Sequence, residues 1–312
     1  MPPTQKTTMT TTRVDHPVNL FYQRKVLTRV FPLLLYAQFG QQDRIPQHEG
    51  DTSKWRRWAN LLAQTTPLTE AEDPTPILIS KTDLSASVKE YGAATKISSW
   101  MKFTGLGQDQ QNIADVLLDN MRLTLDTLCR DVVAGVASST TCSNGSPTTT
   151  LINKTDIDTV VINLLAENAA MIRPEIKAGP NQGTSPIRAA FIGISHVLNR
   201  TRISNVSGFK HVVNYASASD RYEGEFGSTG DVRWLLTTNA RVVSTNYHNI
   251  IMAKDFFGNV KIDGSSADKP LIYTPPDRTG SPLHRFSYLG WLANYAAKIL
   301  NDNFGHDLIS TV

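Results

Sequence analysis

The chain has 312 residues, of which 40% are hydrophobic and 19% charged, with a formal net charge of +3. That length carries one large domain or two ordinary ones, and the balance excludes an intrinsically disordered chain. The charge is small for a dedicated DNA-binding domain, and no apolar run reaches the ~18 residues of a membrane span.

Residues 1–14 are rich in threonine and polar, which predicts a mobile arm rather than a secretory signal. The expectation is a soluble protein made inside a cell. A helix is expected from Pro17, with Val18, Phe21, Tyr22, Val26 and Val30 at three- and four-residue steps, ending at Pro32. Between Lys6 and Arg57 stand nine cations against four acids, so the basic excess of the chain gathers here.

Next comes KWRRWANLLAQTTPLTEAEDPTP, Lys54 to Pro76. Basic residues alternate with aromatics at Trp55, Arg56, Arg57 and Trp58. On residue types this fits a protein–protein anchor better than a stacking platform for single-stranded nucleic acid. Trp55, Trp58, Leu61 and Leu62 are spaced like one helix face, while Pro67, Pro74 and Pro76 argue for extended chain. Ile77–Ser99 reads as a long strand region. Leu84, Ala86 and Val88 alternate in one phase and Tyr91, Ala93, Thr95 and Ile97 in the other, which predicts a bulge near Gly92.

The strongest helix spans roughly Gln108–Ala137, with Ile113, Leu117, Met121, Leu125, Leu128, Val132 and Val136 as its apolar stripe. At 1.5 Å per residue it is a rod of about 40 Å. A loop over Ser138–Thr150 precedes a second helix starting at Thr155 or Asp156. IRAAFIGIS reads as a buried strand and FKHVVNYAS as a strand region. GEFGSTGDVRWLLTTNARVV reads as a glycine-rich turn followed by a strand. NIIMAKDFFGNVKIDG is helix or strand, and the C-terminal segment from Phe286 is either a helix or a strand pair turned at Asn301–Asn303.

No catalytic constellation stands out. The seven histidines lie too far from one another and from either cysteine for a locally spaced metal site. Cys129 and Cys142 form no CxxC pair, which predicts free thiols in a reducing compartment. Ser195-His196 lacks a GxSxG context, and Glu225 within Gly224–Gly230 repels phosphate. Neither a cofactor nor an enzymatic activity is expected.

The ordered series IPQHEGDTSKWRRWANL, TPLTEAEDPTP, LSASVKEYGAATKISS and TLDTLCRD resembles major capsid proteins of tailed bacteriophages, most closely the N4-type coat family. YEGEFGSTGDVRWLLTTNARVV, AKDFFGNVKI and SPLHRFSYLGWLANYAAKILND fit the same pattern, so the resemblance runs from about Arg44 to the C-terminus. Two departures are Ala71, where relatives often carry glycine, and Ser195-His196, where they often carry a proline.

The resemblance implies an α+β Hong Kong 97-type capsid fold. It divides the chain into an N-terminal arm (1–50), an extended loop or E-loop (51–90), a peripheral domain (91–149) with a spine helix over 108–138, an axial domain (150–281) and a return to the peripheral domain (282–312). Its implied function is self-assembly into pentamers and hexamers of an icosahedral head around double-stranded DNA. The implied partners are other copies of the chain, scaffold, portal and decoration proteins, and DNA held by weak non-specific contact, in a virion assembled in the bacterial cytoplasm. On this reading Trp55, Arg56, Arg57 and Trp58 anchor the loop to a neighbour. Glu70, Glu72 and Asp73 form an acidic tip, and Gly224, Glu225 and Gly227 shape a turn at a subunit contact. Lys6, Arg13, Arg24, Lys25 and Arg29 are the DNA-facing arm cations. The alternatives are a bacterial protein compartment of the same fold, an oligomeric nucleic-acid-binding protein, and a hydrolase built on Ser195.

Overall fold

The computed structural model describes residues 32–311, apart from 69, 71–72, 105–108, 145–149, 174–187, 216–220, 264–268, 276–282 and 284. The helix expected from Pro17 and the arm cations Lys6, Arg13, Arg24, Lys25 and Arg29 lie outside the described residues, as does Glu72.

After β1 (Gln41–Ile45), strands β2 (Thr52–Trp58) and β3 (Lys81–Ser87) form an antiparallel two-stranded ribbon, joined by a long segment whose described residues form no ladder of their own. β4 (Lys89–Ser98) runs directly into α1 (Ser99–Thr104), and α2 (Asp109–Val133) follows. β5 (Ser139–Thr141), α3 (Lys154–Ala166), β6 (Phe191–His196), α4 (Arg200–Ser204) and β7 (Phe209–His211) lead to β8 (Glu225–Thr229), β9 (Val232–Thr237) and β10 (Val242–Val243). The remaining strands are β11 (Asn246–Met252), β12 (Phe257–Ile262), β13 (Lys269–Thr274), β14 (Phe286–Ile299) and β15 (Gly305–Ser310).

Among the described residues two larger sheets form. One is a five-stranded sheet in which β14 pairs with β4, β13 and β12, and β12 pairs in parallel with β1. The other is an eight-stranded sheet ordered β5-β15-β11-β6-β9-β8-β7, with β10 beside β11. The expected block 150–281 therefore spans both sheets, since β12 and β13 lie with β4. The final segment divides likewise, β14 going to one sheet and β15 to the other.

α2 ties the sheets together. Leu117, Ile113 and Met121 pack on Ile97, Leu289, Trp291 and Ala293 of β4 and β14. One end further along, Cys129, Val133 and Val136 pack on Ile192, Ile194, Leu235, Ile250 and Met252 of the eight-stranded sheet. The opposite face of that sheet receives α3 through Ile157, Val160, Val161 and Leu164, which meet Phe191, Trp234, Ile251 and Leu308. Successive strand side chains point to opposite faces, so a sheet covered on both sides needs apolar residues in unbroken runs. That is why AAFIGIS and IIM carry no polar alternation. α3 starts where Asn153 accepts a bond from the Asp156 backbone N–H, one of the orphan donors of a first turn.

Gly193 shows how tight the α3 face is. A Cβ there would lie 2.7 Å from the Trp234 ring and 2.9 Å from Val232. Gly193→Val is expected to destabilise the fold by about 1–3 kcal/mol, measured by urea unfolding, because close-packed cores do not absorb extra methyl groups.

Several sequence expectations change. The region Ile77–Ser99 is not one bent strand: 77–79 belongs to no ladder, and the break falls at Val88, where the chain leaves β2 and takes β14 as partner. Gly92 sits in unbroken register opposite Leu292, and the missing side chain there admits the Trp291 carbonyl, 2.8 Å from where a Cβ would stand. EFGST is itself strand, forming a hairpin with β9. The segment around Phe256 is two strands, and the C-terminus is two strands that go to different sheets rather than a pair.

Several buried polar groups are paired across the core. Asp126 accepts bonds from the Tyr36 and Ala37 N–H groups (2.9 and 3.4 Å) and from Asn239 Nδ2 (2.8 Å), fixing the chain before β1 onto α2. Burial pushes its carboxyl above the usual carboxylate range despite those bonds. Asn249 accepts from Ser195 Oγ and Asn199 Nδ2 and donates to Leu308 O and Ser310 Oγ, stitching β11 to β6 and β15.

His306 shares a 2.7 Å bond with Thr140 Oγ1 across the β5–β15 seam, and burial lowers its pKa below 6.5. A histidine held neutral in the fold contributes stability that is present above its unfolded pKa and lost as pH falls towards its folded one. Asp126 and Asp307, both raised by burial, act with the opposite sign. The His306 contribution is isolated by comparison: between pH 7.5 and 5.5 the urea midpoint of wild type should fall more than that of His306→Gln.

Candidate assembly surface

β2 and β3 pair in register from Thr52↔Ser87 to Trp58↔Lys81, and the ladder closes where the Ala59 N–H donates to Ser80 O at 3.0 Å. Beyond that bond, residues 60–79 leave the ribbon as a flap. Its large apolar side chains Leu61, Leu62, Leu68, Ile77, Leu78 and Ile79 are exposed, Leu78 to 94%. A soluble subunit rarely leaves so much apolar surface contiguous without a partner for it.

The expected four-residue anchor does not exist as one surface. In a strand, positions three apart face opposite ways. Trp55 turns inwards with Ser53 and packs with Val88 against Ile45, Ala86 and Val260. Its indole lies over Gly258, where a Cβ would stand 2.7 Å from Trp55 Cζ2. Trp55 therefore roots the ribbon on its own chain, which corrects the reading of it as an anchor to a neighbour. Ser53 Oγ donates to Asp43 Oδ2 at 2.5 Å beside it. Trp58 faces the other way and is 58% exposed. Arg56 is engaged across the ribbon with Asp83 (Nε–Oδ1 2.9 Å, Nη2–Oδ2 3.4 Å), and that hydrogen bond lowers the Asp83 pKa. Arg57 is exposed, as are Glu70 and Asp73 on the flap.

Gly224, Glu225 and Gly227 do not form an exposed turn. Gly224, at φ +77°, makes the bend entering β8. Glu225 and Gly227 lie buried within β8, across a register shift from β9. The Glu225 carboxylate accepts from Arg233 Nε (2.7 Å) and Nη2 (2.9 Å), and both side chains are fully buried. Glu225 is thus taken up inside its own subunit and is unavailable to a neighbour.

The Ser195-His196 pair is not arranged for nucleophilic catalysis. Ser195 is buried and donates to Asn249 Oδ1 at 2.5 Å, while His196 Nδ1 accepts from the Leu198 N–H at 3.2 Å. Burial pushes the thiols of Cys129 and Cys142 up to about 12, which leaves them protonated and unreactive at neutral pH. Among the described residues no group of three or more His, Cys, Asp or Glu side chains is placed to hold a metal ion.

Sequence reasoning missed a second exposed apolar patch at α1. Trp100 (70% exposed), Phe103 (84%) and Met101 lie there. Its signal was legible: WMKF follows a strand directly and carries three large apolar residues with no acid nearby.

No family model and no curated protein matches the sequence. Solved structures do match. The capsid of Ralstonia phage GP4 superposes with a TM-score of 0.71 at 9% identity, covering 94% of this chain and 95% of that one. The capsid of cyanophage P-SCSP1u gives 0.65 at 10% identity, with 93% and 91% covered. An encapsulin from Synechococcus elongatus, SrpI, gives 0.58 at 6% identity over the same shares of the two chains. At these identities the likeness speaks to architecture, and the architecture is plain: this chain has the α+β Hong Kong 97-type fold of phage capsid proteins.

Proposed function

We propose that the protein is the major capsid protein of a tailed bacteriophage, building an icosahedral shell by contacts between its own copies. The observation that carries this is the flap: residues 60–79 hold their apolar side chains in solvent on a ribbon firmly rooted by Trp55. A contact between such a projection and a different surface of the next copy is heterologous, and heterologous contacts close into rings when the rotation between copies divides a full turn. On this reading the shell encloses double-stranded DNA, 51–90 is the E-loop, α2 is the spine helix, and the arm cations meet phosphates by weak, salt-sensitive contact. Membership of the N4-type coat family, and contacts with portal, scaffold or decoration proteins, belong to the same proposal. The role is structural and involves no reaction.

The encapsulin match favours a second reading of the same assembly, a bacterial compartment that holds a protein cargo instead of DNA. Negative-stain microscopy of the purified protein decides whether it assembles: closed shells or capsomer rings are expected, and a monodisperse monomer at all concentrations overturns the proposal. Nuclease-protected DNA in shells recovered from cells selects the phage reading, and a co-purifying enzyme selects the compartment.

A further inference from the structure

A cleft of about 680 Å³ opens where the carboxyl ends of the parallel neighbours β6 and β9 meet the last turn of α2. Crevices outside the carboxyl ends of parallel strands are the usual ligand sites of sheets with helices packed on them. The volume is that of a small-molecule site, but the lining is mostly polar, which points to an ion rather than an apolar ligand.

The three elements each bring a hydrogen-bond donor. Arg130 comes from α2 together with Asp131, His196 ends β6, and Thr238 and Arg241 follow β9. The Arg130 guanidinium is held from two sides. Its Nη1 donates to Asn239 O and Oδ1 (3.2 and 3.1 Å), and its Nε and Nη2 donate to Asp131 Oδ1 (3.0 and 2.8 Å). Asp131 is the carboxylate of the lining, and Arg130 neutralises it. His196 Nδ1 accepts from the Leu198 N–H, so the neutral ring carries its proton on Nε2. Burial lowers the His196 pKa and keeps the ring in that form at neutral pH. The Tyr247 ring, its centroid 5.3 Å away, packs against the imidazole.

Arg241 is different. Its carbonyl accepts the His248 N–H at 3.1 Å, which fixes the backbone there, yet its guanidinium forms no hydrogen bond or ion pair with a described residue. Asp307, a further carboxylate within its field, is already bonded to His248 Nδ1 at 2.6 Å. The cleft thus offers an uncommitted guanidinium, an imidazole N–H and a hydroxyl, and its carboxylate is engaged. Several convergent donors with a cationic excess are satisfied together by a tetrahedral oxyanion, and a guanidinium meets phosphate oxygens through paired bonds.

We propose that this cleft binds a phosphate group, with Arg241 as its principal ligand and His196 Nε2 and Thr238 Oγ1 as further donors. The rest of the volume takes the sugar and base attached to it, so the phosphate belongs to a nucleotide or to a nucleic-acid strand laid across the cleft. The assignment goes beyond the shell reading and does not depend on it.

Calorimetric titration of the full chain with inorganic phosphate, at constant ionic strength in chloride, should show saturable binding. Arg241→Gln should weaken it about tenfold, the worth of one charge-assisted hydrogen bond. Arg241→Lys keeps the charge but loses the paired donors, and should weaken it by about threefold. Lys254→Gln removes an exposed cation beyond the other end of β11 and should leave binding unchanged. Unchanged urea midpoints check that the variants fold. Absence of saturable binding by wild type, or equal weakening by Arg241→Gln and Lys254→Gln, overturns the proposal. Competition then reads the source of the phosphate. Displacement of phosphate chiefly by oligothymidylate supports a nucleic-acid strand, and displacement chiefly by adenosine monophosphate supports a free nucleotide. Displacement by neither overturns the assignment of a phosphate ester.

Discussion

Arg233→Ala is expected to destabilise the folded subunit by about 3–5 kcal/mol, enough to leave little folded protein. Arg233 and Glu225 meet through two parallel bonds of 2.7 and 2.9 Å with no exposure of either side chain. The carboxylate also accepts the Tyr222 N–H at 3.0 Å, and the guanidinium stands 5.4 and 5.7 Å from the Tyr215 and Tyr222 rings. Removing the arginine strands a charge in the core of the β8–β9 hairpin, where its solvation is lost and its partner gone. Replacing both partners with leucine and methionine should recover most of the loss, because the cost lies in the unpaired charge rather than in the missing pair. Urea unfolding of the unassembled subunit reads both effects. A single substitution costing under 1 kcal/mol would show that the pair is not what holds this hairpin.

Replacing residues 60–79 by a short glycine–serine linker should abolish shells while leaving the subunit folded. The flap contributes exposed rather than buried apolar area, and the ribbon below it is held by Trp55 and by the Arg56–Asp83 pair. The urea midpoint should therefore stay close to that of wild type. Trp58→Ala alone, at about 2 kcal/mol for an aromatic interface anchor, should raise the concentration needed for assembly about 30-fold. Trp55→Ala should instead lower the stability of the isolated subunit, since its indole fills space inside its own chain. Light scattering against protein concentration separates the two tryptophans, and equal behaviour would refute the division of labour.

That division marks what the sequence did and did not reveal. The stripe Ile113 to Val136 announced α2 because one helix face meets two sheets in succession, and both demand apolar side chains at helical steps. The buried strands were legible for the same reason, as unbroken apolar runs. The order of motifs carried the Hong Kong 97-type fold. The site was harder. Trp55 and Trp58 look like a pair in one dimension, and only the strand pleat separates them. Glu225 among glycines reads as a loop, yet its partner Arg233 lies eight residues on, across a hairpin whose turn is at Gly230. Val88 escaped notice because an exchange of strand partner, unlike a bulge, leaves no compositional mark.

Val88 has a mechanical consequence. The ribbon ends at Ser87 and the sheet strand begins at Lys89, so one edge of the projecting blade reaches the body through a single residue, its N–H bonded to Asp51 O at 2.8 Å. The other edge is fastened by the Trp55 indole over Gly258 and by the Ser53–Asp43 bond. Two independent fastenings thus clamp the blade at its base, and its compliance lies outward, past the Ala59–Ser80 bond where the ladder stops.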